Sequence, residues 1–343
     1  MTVRTVTDEL TTVAGLGSAI SAHARRYGIA VEPICKTLGI DPKSFDDLTA
    51  RVSLDRICRL MEACATLAHD EAFGATIARD YEAGSSGPFG YGLTSAPTGL
   101  DFVQFIDAHM QYATHTSYCR LSFQSDGAAR LDWTFAPVIV RRDQYVDMSV
   151  ALVIKRAREL AMHAAQSIEV ELERQKPANT QPFRECLSRR ISFGAAMNSL
   201  RFPKTFLNAV NPVGDKRLFE LMSLQCRNMR PNAESANQDF VEQVRRYLLL
   251  HVAEEDSPLA QVAAYFGLSE RTFQRRLSEH HTTLNDLKDD VRRDVSFNLL
   301  TQSDLPFSEI CYRLGYSAPS AFTRSVTRWF GGTPTEVREG RRA

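Results

Sequence analysis

Apolar residues recur at three- and four-residue intervals through the opening of the chain, a spacing that predicts helices over residues 16–27, 31–38, 53–67 and 71–80. In the third of these, Leu54, Ile57, Cys58, Met61 and Ala65 fall on one face. The run Gly84-Ser-Ser-Gly-Pro88 interrupts the pattern, which resumes from Leu100 to Tyr112 with Phe102, Phe105, Ile106 and Met110 inward. Two stretches then alternate apolar and polar residues, 121–125 and 129–135, on either side of Asp126-Gly127. An Asp-Gly turn between alternating runs is a strong hairpin signal. A long helix is expected from about Asp143 to Ala165, followed by strand-like pieces near 168–172 and 191–193. Residues 1–226 therefore read as an α+β domain, without an internal repeat or a low-complexity tract. The next stretch, 227–238, is polar and broken by Pro231, the composition of a linker. From 239 to 343 nothing alternates as a strand does, and short helices are separated by glycine or proline, so this domain reads as all-α.

Within that second domain one grammar is written twice. Ser257-Pro258 is a helix-start pair, a hydroxyl cap followed by proline at the first helical position. Leu259, Val262, Ala263 and Phe266 form an inner face, Gly267 supplies a left-handed turn, and Leu268 plugs the corner. Ser269 caps a second helix, Glu270 to about His280, with Phe273 and Leu277 inward and Arg271, Gln274, Arg275 and Ser278 outward. Some 48 residues on, Ser308 is expected to cap a helix with Ile310, Cys311 and Leu314 inward. Gly315 turns the chain, Tyr316 replaces Leu268, and a helix from Pro319 to Phe330 buries Phe322, Val326 and Trp329 while Ser320, Arg324 and Arg328 face out. These are two helix-turn-helix units. Arginine and glutamine on an exposed helix face can make bidentate contacts with base edges in a major groove. The connecting helix, about Leu284 to Thr301, spans roughly 27 Å at ~1.5 Å per residue. That length suits placing two recognition helices near the ~34 Å repeat of successive major grooves on one DNA face.

Composition changes this picture only in part. At 343 residues, with 43% hydrophobic and 24% charged, the chain fits two globular domains rather than a disordered or fibrous protein. Forty-one basic and 41 acidic residues leave no net charge, which by itself argues against a nucleic-acid partner. Even from Ala236 onward, 14 Lys and Arg stand against 15 Asp and Glu. The segregation is finer: between Ile310 and Thr335 lie Arg313, Arg324 and Arg328 with no acid, so DNA would be held by local basic stripes. The longest apolar run, near 150–154, is too short to span a bilayer, and the first residues lack a secretory pattern, so a cytoplasmic protein without a membrane partner is expected. Seven scattered cysteines, no two in a CxxC pair, read as buried apolar side chains rather than a disulfide framework.

The segment from Ser308 to Arg338 carries Ile310, Gly315, Tyr316, Ser320, Phe322, Arg324, Trp329, Gly331, Pro334 and Arg338 in the register of the AraC/XylS family signature, and the chain resembles that family of bacterial transcription regulators from about Phe240 to Arg338. Phe73-Gly74, the run from Gly84 to Thr98, and Arg201-Phe-Pro203 resemble the arabinose-binding-type effector domain also found in ornithine-utilisation regulators. The resemblance implies a sequence-specific regulator of promoter DNA, commonly an activator that contacts RNA polymerase, controlled by a small-molecule effector and acting as a homodimer. It implies that Arg271, Gln274 and Arg275 read one groove and Ser320 and Arg324 the next, with Arg328 and Arg338 on phosphate or in structural roles. Departures are Cys311 for the usual Ala, Val326 for Phe and Thr327 for the frequent Lys. His280-His281 stands where a glycine commonly follows the first recognition helix, which puts that turn in question.

Other chemistries find less support. His109 and His115, six residues apart, do not share a helix face and read as structural; no metal site or cofactor is expected, and the residues of the effector pocket are not identified by spacing. Gly84-Ser-Ser-Gly lacks the Lys-Ser/Thr of a phosphate loop, and no serine has the nucleophile-elbow pattern. Arg141-Arg142 is read as a solvated loop charge in preference to an effector contact. The rival from another class is a DNA-repair alkyl transferase with a reactive cysteine, for which Cys119 and Cys186 lie nearest to arginines. A third reading, a co-regulator that binds only protein, would be marked by insensitivity to salt.

Overall fold

The computed structural model describes residues 5–47, 49–116, 118–229, 240–254 and 258–340. They divide into two compact units, one built from Leu10–Thr134 and residues 141–229, the other from residues 5–9, Phe135–Val140 and 240–340.

The first unit begins with a short ribbon, β1 (Thr11–Val13) against β2 (Arg51–Ser53), around α1 (Leu16–Arg26) and α2 (Glu32–Leu38). Next come α3 (Leu54–Ala68), α4 (Phe73–Thr76), α5 (Pro88–Ser95) and α6 (Gly99–Ala113). The apolar face of α3 is buried as its periodicity predicts, and Ser53 caps it by accepting from the Arg56 amide. The expected hairpin is β3 (Tyr118–Phe123) and β4 (Ala129–Thr134), in register Leu121 opposite Leu131, with Gly127 at φ 79° in the turn. After α7 (Asp143–Ala165) come β5 (Glu169–Leu172), α8 (Gln181–Cys186), β6 (Arg190–Phe193), β7 (Asn198–Phe202), α9 (Lys204–Leu207) and α10 (Lys216–Asn228). The five strands run β3-β4-β7-β5-β6, antiparallel throughout except for β5 and β6. Phe102 of α6, Phe202 of β7 and Phe206 of α9 meet with ring centroids 5.5–6.5 Å apart, joining helices to sheet.

Several expectations need revision. The long helix of residues 143–165 is broken at Ala161, whose φ of −153° and ψ of 79° are not helical. Residues 73–80 form one α-helical turn followed by a 3-10 turn rather than one helix, and residues 88–95 form a helix although the glycines there favour a break. Arg142 is not a solvated charge, for its guanidinium donates to Glu173 at 2.7 Å with only 16% of the side chain exposed. His109 and His115 do make the contacts expected of structural histidines: His109 Nε2 meets Ser223 Oγ at 2.8 Å, and His115 Nδ1 accepts from the Thr11 amide at 2.9 Å. Of the expected linker, Arg227 and Asn228 belong to α10, and 230–238 lie outside the described residues.

The second unit is helical: α11 (Phe240–Leu250), α12 (Leu259–Tyr265), α13 (Glu270–Glu279), α14 (Leu284–Gln302), α15 (Phe307–Arg313), α16 (Pro319–Phe330) and α17 (Pro334–Glu339). The connecting helix α14 is the spine, buried through Leu284, Leu287, Val291, Val295 and Leu299 as their spacing predicts, with α11, α15, α16 and α17 packed on it. Thr283 and Asp286 cap its start reciprocally, the Thr283 hydroxyl accepting from the Asp286 amide while the Asp286 carboxylate accepts from the Thr283 amide. Arg245 of α11 ties the same helix through Asp294 at 2.6 Å and pairs with Glu9 at 3.1 Å.

Candidate nucleic-acid interface

Each half of the second unit is a pair of short helices joined by a tight turn, and the two turns match atom for atom. After α12, the Gly267 amide donates to Ala264 O and the Leu268 amide to Ala263 O, both at 3.0 Å. After α15, the Gly315 amide donates to Tyr312 O at 3.0 Å and the Tyr316 amide to Cys311 O at 3.1 Å. Both are Schellman turns, which require a left-handed residue just past the helix, and Gly267 and Gly315 sit at φ 66° and 71°. Leu268 and Tyr316 are half-buried in the two corners.

The helix starts differ from expectation. Proline, not serine, occupies the cap of both first helices: Pro258 and Pro306 are extended, at ψ 150° and 146°, and Ser308 lies inside α15. Ser257 lies outside the described residues. Proline is excluded from a helix interior but fits just before one, where no amide donor is needed. Of the two recognition helices, α13 is capped by Ser269, which accepts from the Thr272 amide, whereas α16 has Ala318 at its cap and Pro319 at its first position.

Burial sorts the faces of α13 and α16. Phe273 and Leu277 are buried, and the Phe273 ring lies 5.4–5.9 Å from those of Phe240 and Phe266. On the opposite face Arg271, Gln274, Arg275 and Ser278 are all exposed. Arg275 has 71% of its side chain in solvent and lies 3.7 Å from Glu279, an exposed pair that contributes little. In α16, Phe322 and Val326 are buried, Trp329 is half-buried, and Ser320, Arg324 and Arg328 are exposed. The substitutions Cys311 and Val326 are absorbed in this core. The turn after α13 survives without glycine: His281 itself adopts φ 55°, and Thr282 donates to Leu277 O at 3.2 Å.

The acid-free basic stripe is less free than its sequence indicates. Arg313 pairs with Glu309 at 2.8 Å and donates to the Pro137 carbonyl at 2.9 Å. Arg328 is ion-paired with Asp289 of α14, whose other oxygen accepts from Trp329 Nε1 at 2.9 Å. Only Arg324 of the three has no ion-pair partner among the described residues. Asp289, which sequence patterning did not single out, thus holds the far end of α16. Its signal would have been an acid on α14 facing a Trp-Arg pair. Arg338 is structural, donating to Leu305 O at 2.7 Å with its guanidinium 4.2 Å from the Phe307 ring centre. The tail that bears it is set by Gly331 at φ 73°, a Thr333–Glu336 capping box and Pro334 at the first helical position of α17.

Activated-cysteine chemistry fits poorly. Burial, with Asp107 and Asp132 nearby, pushes the Cys119 thiol up to about 12, the reverse of what a nucleophilic thiolate needs. Cys186 is half-buried, its Sγ 3.8 Å from Arg79. Among the described residues no group of three or more His, Cys, Asp or Glu is placed to hold a metal ion, and no helix is long and apolar enough to cross a membrane.

Comparison with known proteins adds to this geometry. The family described as "Arabinose-binding domain of AraC transcription regulator, N-term" matches residues 28–210, and a "Helix-turn-helix domain" family matches 262–340. An uncharacterized HTH-type transcriptional regulator of Mycobacterium tuberculosis is 24% identical over 323 residues, covering 91% of this chain and 92% of that protein. The ornithine utilization regulator of Pseudomonas aeruginosa is 23% identical over 335 residues, 97% of each chain. Over 125 residues, 36% of this chain and 45% of the other, the HTH-type transcriptional activator RhaS of Salmonella arizonae is 32% identical.

Proposed function

The chain belongs to the AraC family of transcription regulators with a DNA-binding helix-turn-helix domain, and from that premise we propose that it activates transcription by laying α13 and α16 in neighbouring major grooves of promoter DNA under control of a small-molecule effector. The observation that carries the reading is the duplicated unit, with Arg271, Gln274 and Arg275 exposed on one recognition helix and Ser320 and Arg324 on the other. We assign the effector and dimer contacts to the first domain through the end of α10, the linker to the residues after α10 up to 238, and DNA to 239–343. RNA polymerase is the proposed target of the activated complex; the Salmonella relative is named an activator. The effector can shift activity only by binding one arrangement of the protein better than another.

The decisive experiment is a gel-shift titration of the full chain on DNA flanking its own gene. The expected affinity falls by at least about tenfold between ~50 and ~200 mM salt, because each phosphate neutralised adds about −0.9 to the log-log slope. No shifted fragment at low ionic strength, or a salt-independent one, refutes the proposal.

Homodimerisation is assigned to α10. One face packs inward through Phe219, Ser223 and Cys226, while Leu218, Leu221 and Leu224 are 38–49% exposed on the other. The helix is self-complementary about Leu221: run antiparallel to a second copy, Leu218 meets Leu224 and Asp215 lies level with Arg227. Leu221→Glu, which sets two carboxylates against each other on the twofold axis, is expected to turn a dimer into a monomer in sedimentation velocity. A monomeric wild type, or an unchanged variant, removes the assignment.

A further inference from the structure

Beside the break in α7 lies an open cleft of about 780 Å³, bounded by the end of that helix and by the chain from α8 to Arg189. Its volume falls in the range of small-molecule sites. Its apolar lining is Met162, 56% exposed, with the buried Ala165 and Leu187 beside it, among polar residues that include Gln166, Gln181 and Ser188. Arg158 fixes the far wall by donating to three successive carbonyls, Glu185 at 3.0 Å, Cys186 at 3.3 Å and Leu187 at 3.1 Å. Those three bonds satisfy the end of α8, so the wall is held in place before any ligand arrives.

Two further arginines, Arg184 and Arg189, line the cleft with exposed side chains and no hydrogen-bond or ion-pair partner among the described residues. Glu185, which also lines the cleft, accepts from Gln181 Nε2 at 2.8 Å, and its exposed pairing with Arg79 at 3.7 Å adds little. Guanidinium groups without an acid partner, lining the same cleft as an exposed methionine, match a ligand with an anionic head and an apolar body, since arginine binds carboxylate, sulfonate and phosphate oxygens bidentately.

We infer that this cleft binds an amphipathic organic anion, its charged group held by Arg184 and Arg189 and its apolar body against Met162, Ala165 and Leu187. The consequence for transcription rests on the effector-domain reading above; the binding itself does not.

The test uses the full chain and two fluorescent probes with the same apolar body, anionic 1-anilinonaphthalene-8-sulfonate and neutral N-phenyl-1-naphthylamine. The wild type should bind the sulfonate at one site, at least about tenfold more tightly than Arg184→Ala/Arg189→Ala does, a loss of the size charged hydrogen bonds carry. Arg184→Lys/Arg189→Lys should recover part of the affinity, and the neutral probe should bind all three proteins alike. Equal sulfonate affinity in the wild type and the alanine pair, or equal affinity of the wild type for both probes, overturns the inference. A parallel promoter-DNA titration without probe keeps the two readings apart, because loss of DNA binding there counts against the regulator and not against the cleft.

Discussion

Replacing Arg275 and Arg324 together with alanine is expected to weaken binding to the promoter DNA that the wild type selects by about a thousandfold, with the fold intact. Each arginine projects from the exposed face of a recognition helix, one on α13 and one on α16. A bidentate arginine–guanine contact discriminates by about 1–3 kcal/mol. The two residues lie in separate helix-turn-helix units and share no partner, so their effects should add, to about 4 kcal/mol. Neither side chain is buried, and substitutions at such sites shift stability by no more than about 0.5 kcal/mol. Arg328→Ala makes the contrast. It is already committed to Asp289, so its removal should weaken binding modestly and to the same extent on all sequences, with a salt slope shallower by at most about one unit. Titrations of the double variant on the selected site and on scrambled DNA read both quantities. An unchanged ratio between selected and scrambled sites would remove base reading from these two arginines.

Legibility in the sequence followed how local the governing interaction is. The paired Schellman turns were readable because a left-handed residue at a helix end is a local demand that Gly267 and Gly315 meet. The β3–β4 hairpin was readable for the same reason, its turn and alternation lying within some 17 residues. What escaped depends on distant partners. Strand β7 lies between β4 and β5 in the sheet, and its first residues, Asn198 and Ser199, are buried polar groups that no apolar pattern marks. Helix α5 carries glycines that disfavour a helix, yet a side chain at Gly92 would sit 2.1 Å from the Phe105 ring, so close packing with α6 takes precedence over propensity. At the interface, the outward set could be placed by periodicity, whereas the pairings of Arg313 and Arg328 could not. Glu309 lies one residue outside the acid-free stretch, and Asp289 is on another helix.

Gly74 offers the second large effect, and it gives a physical reason for the Phe73-Gly74 pair. At this point α4 meets the first turn of α7 backbone to backbone: the Gly74 amide donates to Gln144 Oε1 at 2.7 Å, and Gln144 Nε2 donates to Glu71 O at 3.0 Å. A Cβ on Gly74 would lie 2.1 Å from the Gln144 carbonyl oxygen and 2.8 Å from its carbon. Main-chain atoms cannot rotate away as a side chain can, so Gly74→Ala must part the two helices or break the Gln144 bridge. Overpacking costs about 1–3 kcal/mol and occasionally more, and a backbone obstacle places this case at the upper end. The usual gain in helix propensity from alanine, about 1 kcal/mol, offsets only part of that. A net loss of about 2–3 kcal/mol is a large share of an ordinary stability of 5–15 kcal/mol. The chain's two tryptophans make the loss measurable, since Trp133 is buried in β4 of the first unit and Trp329 belongs to the second. In a Trp329→Phe background, Trp133 emission should report a urea midpoint lowered by about 1 M at a typical slope of 1–3 kcal/mol per M. Gly194→Ala is the matched control, for Gly194 sits at φ 75° with nothing within 4 Å of an added Cβ. There only the left-handed backbone is penalised, by about 1–2 kcal/mol. A midpoint for Gly74→Ala equal to the wild type would mean that α4 and α7 yield without cost, and the close approach of their backbones would then explain nothing about why glycine stands at this position.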